Sequence, residues 1–123
     1  MFIIGSEDLL NEKIFICEDE NSVLKHYENN FILIKTLALA RFCFKKNIRY
    51  IAQTNNLITM MYFHNLKASH FFSEDIKFAC EMQKMANEYL MDSKIALLVS
   101  SKKDILEAMQ NNIDGVIFKS CIY

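Results

Sequence analysis

An α/β fold with a parallel sheet is predicted by three observations. Short β-branched or apolar runs recur six times, at Ile14–Cys17, Phe31–Ile34, Tyr50–Ala52, His70–Phe72, Ile95–Val99 and Val116–Phe118. Between them lie stretches with helical apolar spacing. Polar residues of the kind that start helices follow most of the runs. Strands that alternate with helices imply right-handed crossovers and parallel pairing. The expectation is one domain, 1–123, with six strands and five intervening helices. Two architectures satisfy it: a partial (β/α)₈ barrel, whose complete form takes about 250 residues, and an open doubly wound sheet of flavodoxin type.

Taken in order, Met1–Ile4 reads as a short strand or apolar arm and Ser6–Glu12 as a helical turn. Ile14–Cys17 is short and apolar enough for a buried parallel strand, and Glu18, Asp19 and Glu20 lead from it into a helix around Ser22–Tyr27. Phe31–Ile34 ends in Lys35. Thr36 can cap a helix running to about Lys46, with Leu37, Ala40 and Phe44 on one face. Tyr50–Ala52 leads through Gln53–Asn56 into a helix from about Leu57 to Lys67, whose stripe is Leu57, Met60, Met61 and His64. Asp75 can cap the fourth main helix, where Ile76, Ala79, Met82, Ala86, Tyr89 and Leu90 follow the helical period. Ile95–Val99 is the clearest strand. Ser101 and Asp104 then resemble a capping box, with Ile105, Leu106 and Met109 turned inward. Asp114-Gly115 turns the chain into Val116–Phe118.

Composition narrows the function classes. The chain is 52% hydrophobic, which argues for a packed domain over a disordered one. The formal charge is −1 with scattered lysines, so the basic face of a nucleic-acid binder is not expected. No apolar run approaches the ~20 residues that span a bilayer, and Met1–Ile4 lacks the form of a signal peptide, so no membrane partner and a cytoplasmic location are the expectation. Cys17, Cys43, Cys80 and Cys121 fall on apolar segments at spacings unlike a zinc site, and read as reduced, mostly core thiols. With no proline and two glycines, the turns must rely on Asn, Asp and Ser.

If the strands are parallel, the polar residues after each of them share one rim. These are Glu18 and Asp19, Lys35, Gln53–Asn56, Ser73–Asp75, Ser100 and Ser101, then Lys119 and Ser120. Ligands of α/β sheets bind at that edge. Lysine as a point charge, helix amides as anion donors and carboxylates through magnesium suit a small phosphorylated molecule. Polar loops and helix caps alone account for the same residue types. His70, on a buried strand without a second histidine or cysteine at ligand spacing, reads as a hydrogen-bonded structural residue, and His64 and His26 as helix-surface residues. No residue is an unmistakable nucleophile or base, so catalytic residues stay unassigned.

The stretch from Asn55 to Asp75 also resembles a family. Asn55 lies fifteen residues before His70, and His70-Phe71-Phe72-Ser73-Glu74-Asp75 matches the pattern H-L-G-Q-E-D at its first, fifth and sixth places. Ala96–Ser100 resembles I-I-G-x-S, Glu107–Val116 resembles e-A-x-x-x-G-A-D-Y, and Ser120-Cys121-Ile122-Tyr123 resembles S-P-I-F. These patterns belong to the thiamine-phosphate synthases and the TenI-type thiazole tautomerases, both (β/α)₈ barrels, and the likeness covers about Ile48 to Tyr123.

The resemblance implies a transferase-like ancestry in thiamine biosynthesis. It assigns Lys35, Asn55, Asn56 and Ser100 to substrate or pyrophosphate and Asp75 to magnesium. Asn56 stands where the family has the first magnesium aspartate, Phe72 replaces the family's glycine, and Lys102 aligns near the tautomerase histidine. Against that family the chain also stops at the sixth strand, so the expectation is a truncated or degenerate member with weak or no catalysis. Two open barrel edges further suggest a homodimer. A second functional expectation is a receiver-like signalling domain, on Glu18-Asp19-Glu20, Ser100 and Lys119, or another non-catalytic binding module.

Overall fold

The computed structural model describes residues 1–123 and contains one curled sheet of seven strands, all parallel. The strands are β1 (Phe2–Ile4), β2 (Ile14–Ile16), β3 (Phe31–Ile34), β4 (Ile51–Ala52), β5 (His70–Ser73), β6 (Lys94–Val99) and β7 (Gly115–Phe118). The helices are α1 (Glu20–His26), α2 (Leu37–Lys45), α3 (Leu57–Asn65), α4 (Ile76–Glu88) and α5 (Ile105–Gln110). Single 3-10 turns occupy Lys102–Asp104 and Lys119–Cys121.

The sheet order is β1-β7-β6-β5-β4-β3-β2. From β2 to β7 each strand lies beside the next in sequence, which is the winding of a barrel. Side-chain alternation separates two apolar layers. Ile32, Ile34, Ile95, Leu97, Val99 and Val116 point outward to buried residues of all five helices, among them Val23, Cys43, Phe63, Met82 and Ala108. Ile4, Ile14, Leu33, Ile51, Phe72, Ala96 and Ile117 point the other way, one from each strand, and Cys121 and the partly buried Ile122 join them from outside the strands. That inner layer lies across the curl. Phe2 on β1 meets the His70 ring on β5 edge-on, centroids 5.1 Å apart, although β7 and β6 separate the two strands in the sheet.

The count of six strands is corrected to seven. Phe2–Ile4 is a strand because its partner is β7, more than a hundred residues away in sequence, and three apolar residues do not reveal such a partner. The chain after β7 also returns to the first edge. Ile122 pairs with Ile14, the Tyr123 N–H donates to the Ile14 carbonyl at 2.9 Å, and the Ile16 N–H donates to the Tyr123 carbonyl at 2.9 Å. The outer edge of β2 is therefore covered by the chain itself, while the outer edge of β1 has no partner strand.

Four helices end alike. Asn47, Lys67, Leu90 and Asn112 take positive φ of 59°, 66°, 50° and 55° directly after the caps of α2, α3, α4 and α5. In each case the next N–H reaches back five residues: Ile48 to Cys43, Ala68 to Phe63, Met91 to Ala86 and Ile113 to Ala108. These are Schellman closures, and the residue that follows the left-handed position is buried every time. Asparagine suits that conformation; Lys67 and Leu90 adopt it at a steric cost.

The expected faces of four helices are corrected. Leu90 leaves α4 as the left-handed residue and is 88% exposed, and Tyr89 beside it is 62% exposed, so neither continues the apolar stripe. Leu106 and Met109 point to solvent, because the 3-10 turn before α5 shifts its phase and presents Ala108 to the core. On α2 the buried face is Leu39, Ala40 and Cys43, with Phe44 largely exposed. Phe63, outside the expected stripe of α3, is a central core residue.

Candidate functional site

The carboxyl ends of β3, β4 and β5 open into one cleft of about 600 Å³. Lys35 follows β3. Gln53, Thr54 and Asn55 follow β4, and Ser73, Glu74 and Asp75 close β5. The apolar floor is Phe72, Phe78 and Leu98.

Local hydrogen bonds set these loops. The Thr54 hydroxyl accepts from the Asn56 N–H at 3.2 Å, and the Asn56 side chain accepts from the Thr59 N–H at 3.0 Å, capping α3. One turn along the sheet the same device recurs. The Ser73 hydroxyl accepts from the Asp75 N–H at 3.0 Å, and Asp75 accepts from the Lys77 N–H at 3.1 Å, capping α4. Two helix starts thus face the cleft, each with an amide or carboxylate over its first turn.

Glu74 pairs with Lys119 from beyond β7 at 3.2 Å, both side chains well exposed, so the pair contributes little to stability. It does offset one of the two carboxylates in the cleft. Lys35 is the one lysine in the lining and belongs to none of the ion pairs.

Of the residues assigned by resemblance, Lys35, Asn55 and Asp75 share this cleft. Asn56 is spent on the cap of α3. Ser100 lies outside the cleft, its N–H donating to the Asp104 carboxylate at 3.4 Å, and the Ser101 N–H donates to the same carboxylate at 3.3 Å. Glu18 and Asp19 are also outside. Asp19 caps α1 by accepting from the Ser22 N–H at 2.7 Å, and that bond holds its carboxyl below the usual range.

The Glu74–Lys119 pair is not legible in the sequence, because the two residues are 45 positions apart. No three His, Cys, Asp or Glu side chains come together in an arrangement that could hold a metal ion. Magnesium usually takes one or two carboxylates together with substrate phosphates, so this chain could offer Asp75 to a magnesium ion only alongside a phosphorylated ligand.

His70 sits at the other end of β5, away from the cleft. Its Nδ1 lies 2.8 Å from the Ser69 hydroxyl, and its ring is edge-on to Phe2 and Phe31. Burial pushes its pKa down to about 4, with Arg49 and Lys94 adding to the shift and Asp114 opposing it. It is neutral at pH 7. A cavity of about 640 Å³ also opens at the amino-terminal ends, between Leu10–Lys13, Tyr27–Phe31 and Arg49. Its walls are loops of mixed charge, whereas the smaller carboxyl-edge cleft gathers three successive crossovers and two helix starts, the usual ligand edge of this fold class.

No helix is long and apolar enough to cross a membrane. Comparison with protein-family models gives no match to this chain, and comparison with curated protein sequences gives none either.

Proposed function

We propose that the chain is a binding module of thiamine-phosphate synthase-like ancestry, with weak or no catalysis, whose carboxyl-edge cleft takes a small phosphorylated molecule. The observation that carries this reading is the convergence of Lys35, Asn55 and Asp75 from three successive strand ends on one cleft. Lysine supplies the charge for a phosphate, and Gln53, Thr54, Asn55 and Ser73 supply neutral donors around it. Magnesium enters as a counterion of the ligand's phosphate, with Asp75 as its protein ligand.

The lining supports weak or absent catalysis as the reading. No histidine, cysteine or tyrosine is present to serve as nucleophile or neutral-pH acid–base group. The reading goes with a cytoplasmic location, where phosphorylated metabolites are met, and with a homodimer formed through the unpartnered edge of β1.

Calorimetry with pyrophosphate, with and without magnesium, tests it. Saturable heat with magnesium is expected, weakened about tenfold by Lys35→Ala, in line with the 1.4 kcal/mol that tenfold represents. Asp75→Asn keeps a capping residue while removing the charge, so it should lower the magnesium-dependent binding without unfolding α4. Absence of heat in both conditions would leave the rim purely structural. A coupled assay for thiamine phosphate is expected to show no turnover above background.

A further inference from the structure

The amino-terminal ends of β4, β5 and β6 surround a separate cavity of about 290 Å³. Arg49 reaches it from just before β4, His64 and Lys67 from the end of α3, and Lys94 from the start of β6. The side chains of Ser69, His70 and Ser93 complete the wall, and Asp92 is its one carboxylate. The lining thus carries three permanent cations from three segments and one carboxylate, with the Asp114 carboxylate, which accepts from the Ile95 N–H at 2.9 Å, as a second anion close enough to act on His70. None of the three cations is in an ion pair; the chain's pairs are Lys84–Glu88, Lys102–Asp8 and Lys119–Glu74.

Backbone hydrogen bonds fix the points from which the two lysine side chains leave the chain, and an aromatic ring supports the arginine. Lys67 is the left-handed residue of the α3 closure, its N–H donating to the His64 carbonyl at 2.9 Å. The Lys94 N–H donates to the Ser69 carbonyl at 3.0 Å, and the Arg49 guanidinium lies over the Phe31 ring, 5.5 Å from its centroid.

Two histidine–serine pairs form part of the wall. The Ser93 hydroxyl donates to the Ala68 carbonyl at 2.6 Å, so it can only accept from His64 Nδ1, 3.4 Å away. The Ser69 hydroxyl donates to the Tyr50 carbonyl at 2.8 Å and likewise accepts from His70 Nδ1. Each imidazole therefore carries its proton on Nδ1. Cations gathered at one opening repel one another, and an anion bound among them relieves that repulsion, modestly where the cations are solvent-exposed.

We infer that this cavity is an oxyanion site that takes a phosphate group, either inorganic phosphate or the phosphate of a small monoester. Lysine point charges and the planar arginine fork are the groups that hold phosphate oxygens. The volume is at the lower limit for ligand sites, about 300 Å³, and suits one small anion. The site is at the opposite end of the strands from the Lys35 cleft and does not depend on it.

The test uses the full chain with ¹⁵N-labelled histidine and follows the His64 and His70 imidazole signals. Inorganic phosphate and glycerol phosphate are titrated separately against chloride at matched ionic strength. A saturable shift is expected for at least one of them. Lys67→Asn combined with Lys94→Gln should weaken it at least tenfold, and Lys35→Ala should leave it unchanged. Lys67 and Lys94 are solvent-exposed, and asparagine accepts the left-handed backbone, so the double variant should keep its fold; Arg49→Gln gives an independent second loss. Tighter binding of the ester identifies a carried phosphate, and tighter binding of inorganic phosphate the free ion. Shifts that fail to saturate with both probes, or an affinity that stays at the parent's value in both the double variant and Arg49→Gln, overturn the inference. Pyrophosphate calorimetry on Lys35→Ala reads the other end of the molecule, so failure of one site is distinguishable from failure of the other.

Discussion

Phe2 and Gly115 are register partners on β1 and β7, and the Phe2 ring occupies the space that a Cβ at position 115 would need. The same ring meets His70 across the curl. Gly115→Ala should therefore overpack this end of the molecule and cost about 1–3 kcal/mol. Urea unfolding in a double-mutant cycle with Phe2→Leu checks it: the penalty should shrink when the ring is gone. An equal penalty in both backgrounds would place the cause elsewhere.

His70 makes stability depend on pH. Its folded pKa of about 4 is below its ordinary value of 6.5, so the unfolded chain binds the proton more tightly. Its contribution is complete above pH 6.5, declines as pH falls from 6.5 to 4, and levels off below that. At about 1.4 kcal/mol per pKa unit the ceiling is about 3 kcal/mol. His70→Leu should flatten that part of the stability profile relative to the parent, measured by denaturant unfolding at pH 7, 5.5 and 4.

Leu90 is largely exposed and held at φ 50°, where a side chain is strained and glycine is not. Leu90→Gly should stabilise the protein by up to about 1 kcal/mol, the relief of left-handed strain being partly offset by a more flexible unfolded chain. A lower thermal midpoint for the variant would contradict the closure described for α4.

The Tyr50 hydroxyl is buried and lies 2.9 Å from the Leu66 carbonyl and 3.2 Å from the Phe63 carbonyl, at the end of α3. Burial raises its pKa, so it stays a donor. Tyr50→Phe leaves those carbonyls without that donor and should cost about 1–2 kcal/mol. Amide exchange at Leu66 to Ala68 should accelerate with it.

Cys17, Cys43 and Cys121 are buried, and Cys80 is half-buried. Burial pushes the Cys43 and Cys121 thiols up to about 11, so neither forms much thiolate at pH 8. A thiol reagent should label Cys80 first in the native protein and all four after denaturation. Rapid native labelling of Cys43 would contradict the packing of α2.

Much of the fold follows from local pattern. Ile95–Val99 is a run of five apolar residues, Thr36 and Asp75 stand before helical spacing, and both caps form as their chemistry predicts. Such signals are legible because they depend on residues within one turn of each other. Lys35, Asn55 and Asp75 could be named from the sequence for a related reason: strand ends of a parallel sheet share an edge whatever the details of packing.

The tertiary structure decided what distant residues do together. Phe2–Ile4 became a strand because β7 received it, and Ile122–Tyr123 covered the edge of β2. The exposure of Leu90 and Leu106 was set by backbone closure and helix phase, which hydrophobicity does not encode. The same holds for charge. Scattered lysines gave no sign of a shared cavity, yet Arg49, Lys67 and Lys94 arrive at one place because the starts of β4, β5 and β6 are neighbours in the sheet. Composition determined that this chain would bury an apolar core and alternate strands with helices; only the curl of the sheet determined which polar groups would face one another across it.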